Sequence, residues 1–91
     1  MEQLCIIIRM ELLKIIGKNV KLLREAHGYT QGNLAQLSGL QRSYIGDIER
    51  GSRNITISSL AQIADALGVH PGVLLFEQSF KKNPRIHLNL K

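Results

Sequence analysis

The stretch "TQGNLAQLSGLQRSYIGDIERG", residues 30 to 51, decides how this chain folds. Thr30 is a natural N-cap, because its hydroxyl can accept from a free N–H of the first helical turn. Counting Gln31 as the first position, an apolar residue falls fourth (Leu34) and a small one fifth (Ala35). Gly39 falls ninth, and two isoleucines fall fifteenth (Ile45) and eighteenth (Ile48). Leu34, Ala35 and Leu37 are the residues the first segment is expected to bury. Ala35 suits a helix crossing, where a larger side chain would push the helices apart. Gly39 adopts turn geometry at no steric cost. Ile45 and Ile48 pin the second segment to a core and turn its opposite face outward. Gly46 falls on the side away from that core. There a missing side chain either allows a close backbone approach or costs about 1 kcal/mol relative to alanine.

Two short helices joined by a tight glycine turn at this spacing form a helix-turn-helix. Upstream, residues 11–26, "ELLKIIGKNVKLLREA", place Leu12, Ile16, Val20 and Leu23 on one helical face, with Lys14, Lys18 and Lys21 away from it. Gly28 suits the left-handed position after a helix. Downstream, Thr56 or Ser58 can cap a helix carrying Leu60, Ile63, Ala64 and Leu67, which Gly68 ends. Pro71 is well placed at a first helical position, and Val73, Leu74, Leu75 and Phe76 follow as a short, very apolar helix. The expected architecture is all-α: a compact five-helix bundle with the helix-turn-helix at helices 2 and 3. Residues 1–10 form an N-terminal extension, 11–80 the domain, and 81–91 a basic tail. In the tail, Pro84 and the alternation of Ile86, Leu88 and Leu90 fit either disorder or a strand that pairs in a dimer.

Composition agrees with a helical protein. The 91 residues are 44% apolar, with no Trp and only two each of Phe, Tyr and Pro. One domain of this size buries a modest core. A net charge of +5 points to an anionic partner, nucleic acid being the commonest, although a protein can also simply be basic. The single cysteine, Cys5, leaves no internal disulfide or cysteine-based zinc site and fits a reducing cytoplasm. The apolar run Leu4 to Ile8 is too short to span a bilayer. Glu2 precedes it and no small-residue cleavage site follows, so neither a signal peptide nor a membrane partner is expected. Met10 is an alternative start.

Nothing in the chain assembles a catalytic centre. His27, His70 and His87 are scattered without metal-ligand spacing, and "GLQRSYIG" lacks the lysine and glycine spacing of a phosphate loop. No nucleophile with a base and no paired carboxylates stand out. No enzyme, cofactor or metal is expected.

The run "YTQGNLAQLSGL…YIGDIERGSRNITISSLAQIADALGV" resembles the phage-repressor (Xre-like) helix-turn-helix family over residues 14–76. Within it, "RSYIGDIERGSRNITI" and "VLLFE" are most similar to controller proteins of restriction–modification systems. The resemblance implies a five-helix bundle binding operator DNA as a twofold dimer, with the second motif helix entering the major groove by its N-terminal end. The residues at that end fit independently. Arg42 can donate twice to guanine, Gln41 can pair with adenine, and Ser43 is adaptable. Tyr44 either reaches a phosphate or sugar or packs on the preceding helix. Arg50, Arg53 and Asn54 lie where the phosphate backbone is commonly met. By resemblance to controller proteins, Arg53 and Asn54 also reach a groove near the centre of the site. Gln31, near a helix N-terminus, suits a phosphate. Asp47 is the dissenting charge, able to orient Arg42 or Arg50 or to accept from a cytosine amine. In the family, the positions of Arg24 and Glu49 form a partly buried ion pair tying the first helix to the recognition helix. That gives them a structural role, with DNA contact as the alternative.

The apolar surplus at "GVLLFEQSF" makes Leu74, Leu75, Phe76 and Phe80 dimer-interface residues, together with the outer side of the helix at 57–67. Val73 and Leu74 equally suit a core. A controller protein would activate its own promoter through RNA polymerase as one dimer and repress it with a second. That would delay the restriction enzyme until methylation is complete. Gly32 and Asn33 stand where the family often carries acidic residues, so repression is the safer expectation. The rival readings are a protein-interaction module, such as an antitoxin-like partner, and a generic phage-type repressor. The cluster of Arg42, Arg50 and Arg53 beside Gln41, Ser43 and Asn54 favours DNA, since a protein-binding face would carry apolar anchors there.

Overall fold

A computed structural model describes residues 2–77. Among these residues the chain forms four α-helices: α1 (Glu2–Ala26), α2 (Gln31–Ser38), α3 (Arg42–Glu49) and α4 (Ile57–Leu67). A 3₁₀ helix over Pro71–Leu75 follows. Phe80 and the basic tail lie outside the described residues.

Local chemistry sets the helix ends. Thr30 caps α2 reciprocally with Asn33: the Asn33 N–H donates to Thr30 Oγ1 at 3.0 Å, and the Thr30 N–H donates to Asn33 Oδ1 at 3.0 Å. Thr56, rather than Ser58, caps α4 by accepting from the Ser59 N–H at 3.0 Å. Gly39 ends α2 in the left-handed conformation, φ 75°, and the following Leu40 N–H returns to the Ala35 carbonyl at 3.0 Å. A short connection then reverses the chain into α3.

The core gathers Ile16, Val20 and Leu23 of α1, Leu34 and Ala35 of α2, and Ile45 and Ile48 of α3. Leu60, Ile63, Ala64 and Leu67 of α4 join them, with Val73 and Leu74 of the 3₁₀ helix. Two residues expected inside are not: Leu12 is 38% exposed and Leu37 55% exposed. In α1 the first turns run past the bundle, so the helical face continues where no neighbour covers it, and Leu4, Ile6, Ile7, Ile8 and Met10 are exposed there too. The boundary expected at residues 10 and 11 is not a break in the helix. In α2 the third buried position is Ser38, whose hydroxyl donates to the Ala35 carbonyl at 3.2 Å.

The expected fifth α-helix is instead the 3₁₀ turn. His70 caps it, its Nδ1 accepting from the Gly72 N–H at 2.9 Å. The carbonyls that would continue an α-helix are taken by a side chain from α1. The fully buried Asn19 amide donates to the carbonyls of Leu74 at 3.0 Å and Phe76 at 2.7 Å, with Val73 at 3.4 Å. Leu74 is fully buried and belongs to the core, which corrects its expected place in a dimer interface. Leu75 and Phe76 remain exposed.

Gly17 sets how closely α1 approaches α3. A methyl group there would collide with the Ile48 carbonyl oxygen and lie 2.8 Å from that of Glu49. These are backbone atoms, so the clash cannot be relieved by rotating a side chain. Gly17→Ala should therefore cost at least about 1–3 kcal/mol by overpacking, seen as a lower urea midpoint. Gly32→Ala, whose added carbon would meet nothing nearer than 3.7 Å, should leave the midpoint unchanged or raise it slightly. Equal effects of the two substitutions would contradict this account of the α1–α3 crossing.

Candidate nucleic-acid interface

One carboxylate joins α1, α2 and α3. Glu49, in the last turn of α3, has a side chain only 4% exposed. Its Oε2 accepts from Arg24 Nε at 2.6 Å and its Oε1 from Arg24 Nη2 at 3.1 Å, a bidentate fork from α1. Oε1 also accepts from the Gln31 amide at the start of α2, at 3.0 Å. Arg24 spends a further N–H on the Tyr29 carbonyl at 2.8 Å, which fixes the loop before α2. The hydrogen bond to Glu49, opposed by burial and reinforced by the carboxylate charge, raises the Arg24 pKa above its ordinary value. A raised pKa means the guanidinium end of the pair is fully charged below the ordinary arginine range. Its contribution would be lost only as the pH rises beyond that range.

Gly46 is buried, not open as its expected outward position implied. The Gln31 amide and the Arg50 guanidinium lie over it, 3.6 Å and 3.4 Å from where a Cβ would stand. The missing side chain makes room for these two polar groups.

The outward side of α3 carries the charges. Gln41, Arg42 and Ser43 are exposed at its start. Gln41 occupies the N-cap position but makes no capping bond with its side chain. The Arg42 side chain makes no hydrogen bond or ion pair among the described residues, and it passes over Gly32 in the first turn of α2. Tyr44 is half-buried against the core, with part of its side chain still exposed. Its ring carries the Arg53 guanidinium at 5.2 Å. Gln41, Ser43, Tyr44 and Arg53 line one shallow depression with Gly39 and Leu40. Asn54 is exposed but lies apart from these, at the edge of an apolar groove between α1 and α4.

Arg50 and Arg53 are both paired to Asp47. Arg50 Nη2 donates to Asp47 Oδ1, and Arg53 Nη1 donates to Oδ2 at 3.2 Å. Three residues expected to meet the DNA backbone (Gln31, Arg50 and Arg53) thus already hold acidic partners, while Arg42 does not. The sequence pointed to the Arg24–Glu49 pair and to Arg50 as one candidate for Asp47, but carried no signal for Gln31 on Glu49 or Arg53 on Asp47.

Glu49→Ala would take the bidentate partner from the largely buried Arg24 and leave it only the more distant, exposed Glu25 carboxylate at 3.9 Å, so a loss of about 3 kcal/mol is expected. For a chain this small that is a fall of roughly 12–24 °C in Tm. A thermal melt within a degree of wild type would contradict the structural role.

Comparison with known proteins agrees with this architecture. The chain is 40% identical over 72 residues to the control protein C.SmaI of Serratia marcescens, spanning 79% of this chain and 86% of that one. Its fold matches the crystal structure of the restriction–modification controller protein C.AhdI from Aeromonas hydrophila. That match has a TM-score of 0.67 and 44% identity, covering 68% of this chain and 94% of that one. It also matches the controller protein C.Esp1396I, solved as a tetramer in complex with its natural 35 base-pair operator. The TM-score is 0.64 at 44% identity, over 69% of this chain and 83% of that one. The helix-turn-helix family model matches residues 20–74, most of the domain, and the chain belongs to that family.

Proposed function

We propose that the protein is a sequence-specific DNA-binding transcription regulator, acting as a homodimer on a near-palindromic operator upstream of its own gene. In this reading α2 and α3 are the helix-turn-helix, and α3 is the recognition helix. The observation that carries it is the division of α3 into two faces. Ile45 and Ile48 are buried, Glu49 is locked to Arg24 and Gln31, and the opposite side presents Gln41, Arg42 and Ser43 to solvent. An unpaired arginine at the tip of such a helix is suited to the O6 and N7 acceptors of guanine. The likeness to C.SmaI and C.AhdI supports the role of a restriction–modification controller. The first turn of α2 carries no acidic residue, so repression is assigned ahead of activation through RNA polymerase.

Dimerisation is assigned to the exposed apolar surface of α4 and the 3₁₀ helix. Ile57 is 81% exposed and Phe76 69%. Ile57 also lines a groove with Leu12, Leu60 and Leu75. Replacing both Ile57 and Leu75 with Glu should convert the protein to a monomer in analytical ultracentrifugation and weaken operator binding. A dimer that survives both changes would place the interface elsewhere.

A gel shift with the DNA upstream of the gene tests the function directly. Binding is expected at low salt, weakening steeply as salt rises because cations are released from the phosphates. No shift at low salt would remove the DNA reading and favour a protein partner. Arg42→Ala should lose roughly 1–3 kcal/mol on that DNA and much less on random duplex. Equal losses on both would assign Arg42 to the phosphate backbone instead.

A further inference from the structure

We propose that Asp47 is a specificity-determining residue: it holds Arg50 and Arg53 in reserve and so weakens binding to DNA of the wrong sequence. The inference rests on the reading of α3 as the recognition helix. Asp47 lies on the outward side of that helix, one turn beyond Ser43, where a phosphate-seeking surface would not be expected to carry an acid. Both of its carboxylate oxygens are occupied, Oδ1 by Arg50 and Oδ2 by Arg53. Arg53 is held a second time, over the Tyr44 ring. The two guanidinium side chains are 65% and 56% exposed, and the carboxylate between them 28%. The bonds therefore form in high dielectric, where each is worth little and can be exchanged.

The exchange has different outcomes on different DNA. On an arbitrary duplex, Arg50 and Arg53 gain phosphates only by giving up their carboxylate. Asp47 is then left uncompensated beside a polyanion, so much of the electrostatic gain is cancelled. At a matching site a base can supply the missing donor, since cytosine N4 and adenine N6 each present an amino group in the major groove. Guanine and thymine offer acceptors at the equivalent edge and leave the carboxylate unpaired. One acid thus weakens non-specific binding and selects an amino-bearing base.

The test compares Asp47→Asn with Glu11→Gln, an equal change of charge on exposed Glu11 of α1. Each variant and the wild type are titrated against the gene's upstream DNA and a random duplex of the same length, across a range of salt. Asp47→Asn should bind random duplex at least about fivefold more tightly, and its slope of log K against log salt should steepen by about 1–2, one for each arginine released to a phosphate. Affinity for the upstream DNA should rise less or fall, so the ratio of specific to random binding drops. Glu11→Gln should change neither the slope nor the ratio. If the two variants behave alike while the wild type binds its upstream DNA, this inference is overturned and the recognition-helix reading stands. If the wild type binds no DNA, both fall. Unchanged melting of Asp47→Asn would show that the difference lies at the DNA surface.

Discussion

The Glu49 carboxylate is the constraint on which the arrangement of α1, α2 and α3 depends. It belongs to α3, receives the guanidinium of α1 and the amide of α2, and is shielded from water. A buried ion pair is not by itself a large source of stability, because desolvation offsets most of the attraction. Its value here is directional. A forked arginine accepts a carboxylate in one plane, and the Gln31 amide occupies a remaining lone pair. Rotating α3 about its axis would break both at once. The helix is therefore fixed not only in position but in azimuth, and azimuth decides which side chains face outward.

Much of this could be read from the sequence. Thr30 and Thr56 announce helix starts because a hydroxyl cap is local chemistry. Leu34, Ile45 and Ile48 announce the core because period and size are enough. Other features depend on neighbours that a linear pattern does not identify. Nothing in the apolar pattern singles out Gly17, and only the carbonyls of α3 reveal it as a point of contact. The apolar pattern passes over Asn19, which is buried with its amide serving the carbonyls of the 3₁₀ helix. That service also explains why the last apolar segment is not an α-helix. Leu12 and Leu37 show the converse limit, since periodicity gives a face but not where the covering element ends.

The charges show the same division. A net charge of +5 describes an anion-seeking protein but not where the cations are available. On α3 and the loop after it, one arginine is unpaired and two share an acid, so identical residue types have different electrostatic roles. The resemblance to controller proteins identified Arg24 with Glu49 as a pair. The sequence offered Asp47 to Arg42, Arg50 or a cytosine amine; the structure pairs it with Arg50 and adds Arg53, which had not been expected there.

The two contacts of α1 have a mechanical consequence. Gly17 meets the backbone of α3, and Asn19 holds the segment bearing Leu75 and Phe76. Two residues apart on a helix, they point about 200° away from one another, so the helix separates them by its own diameter of about 10 Å. In the proposed dimer, α1 would then act as a rigid spacer between the surface joining the subunits and the helix that reads the bases. The thickness of one helix would then lie between those two surfaces, and a substitution at either contact would disturb that spacer without touching a side chain that faces the bases.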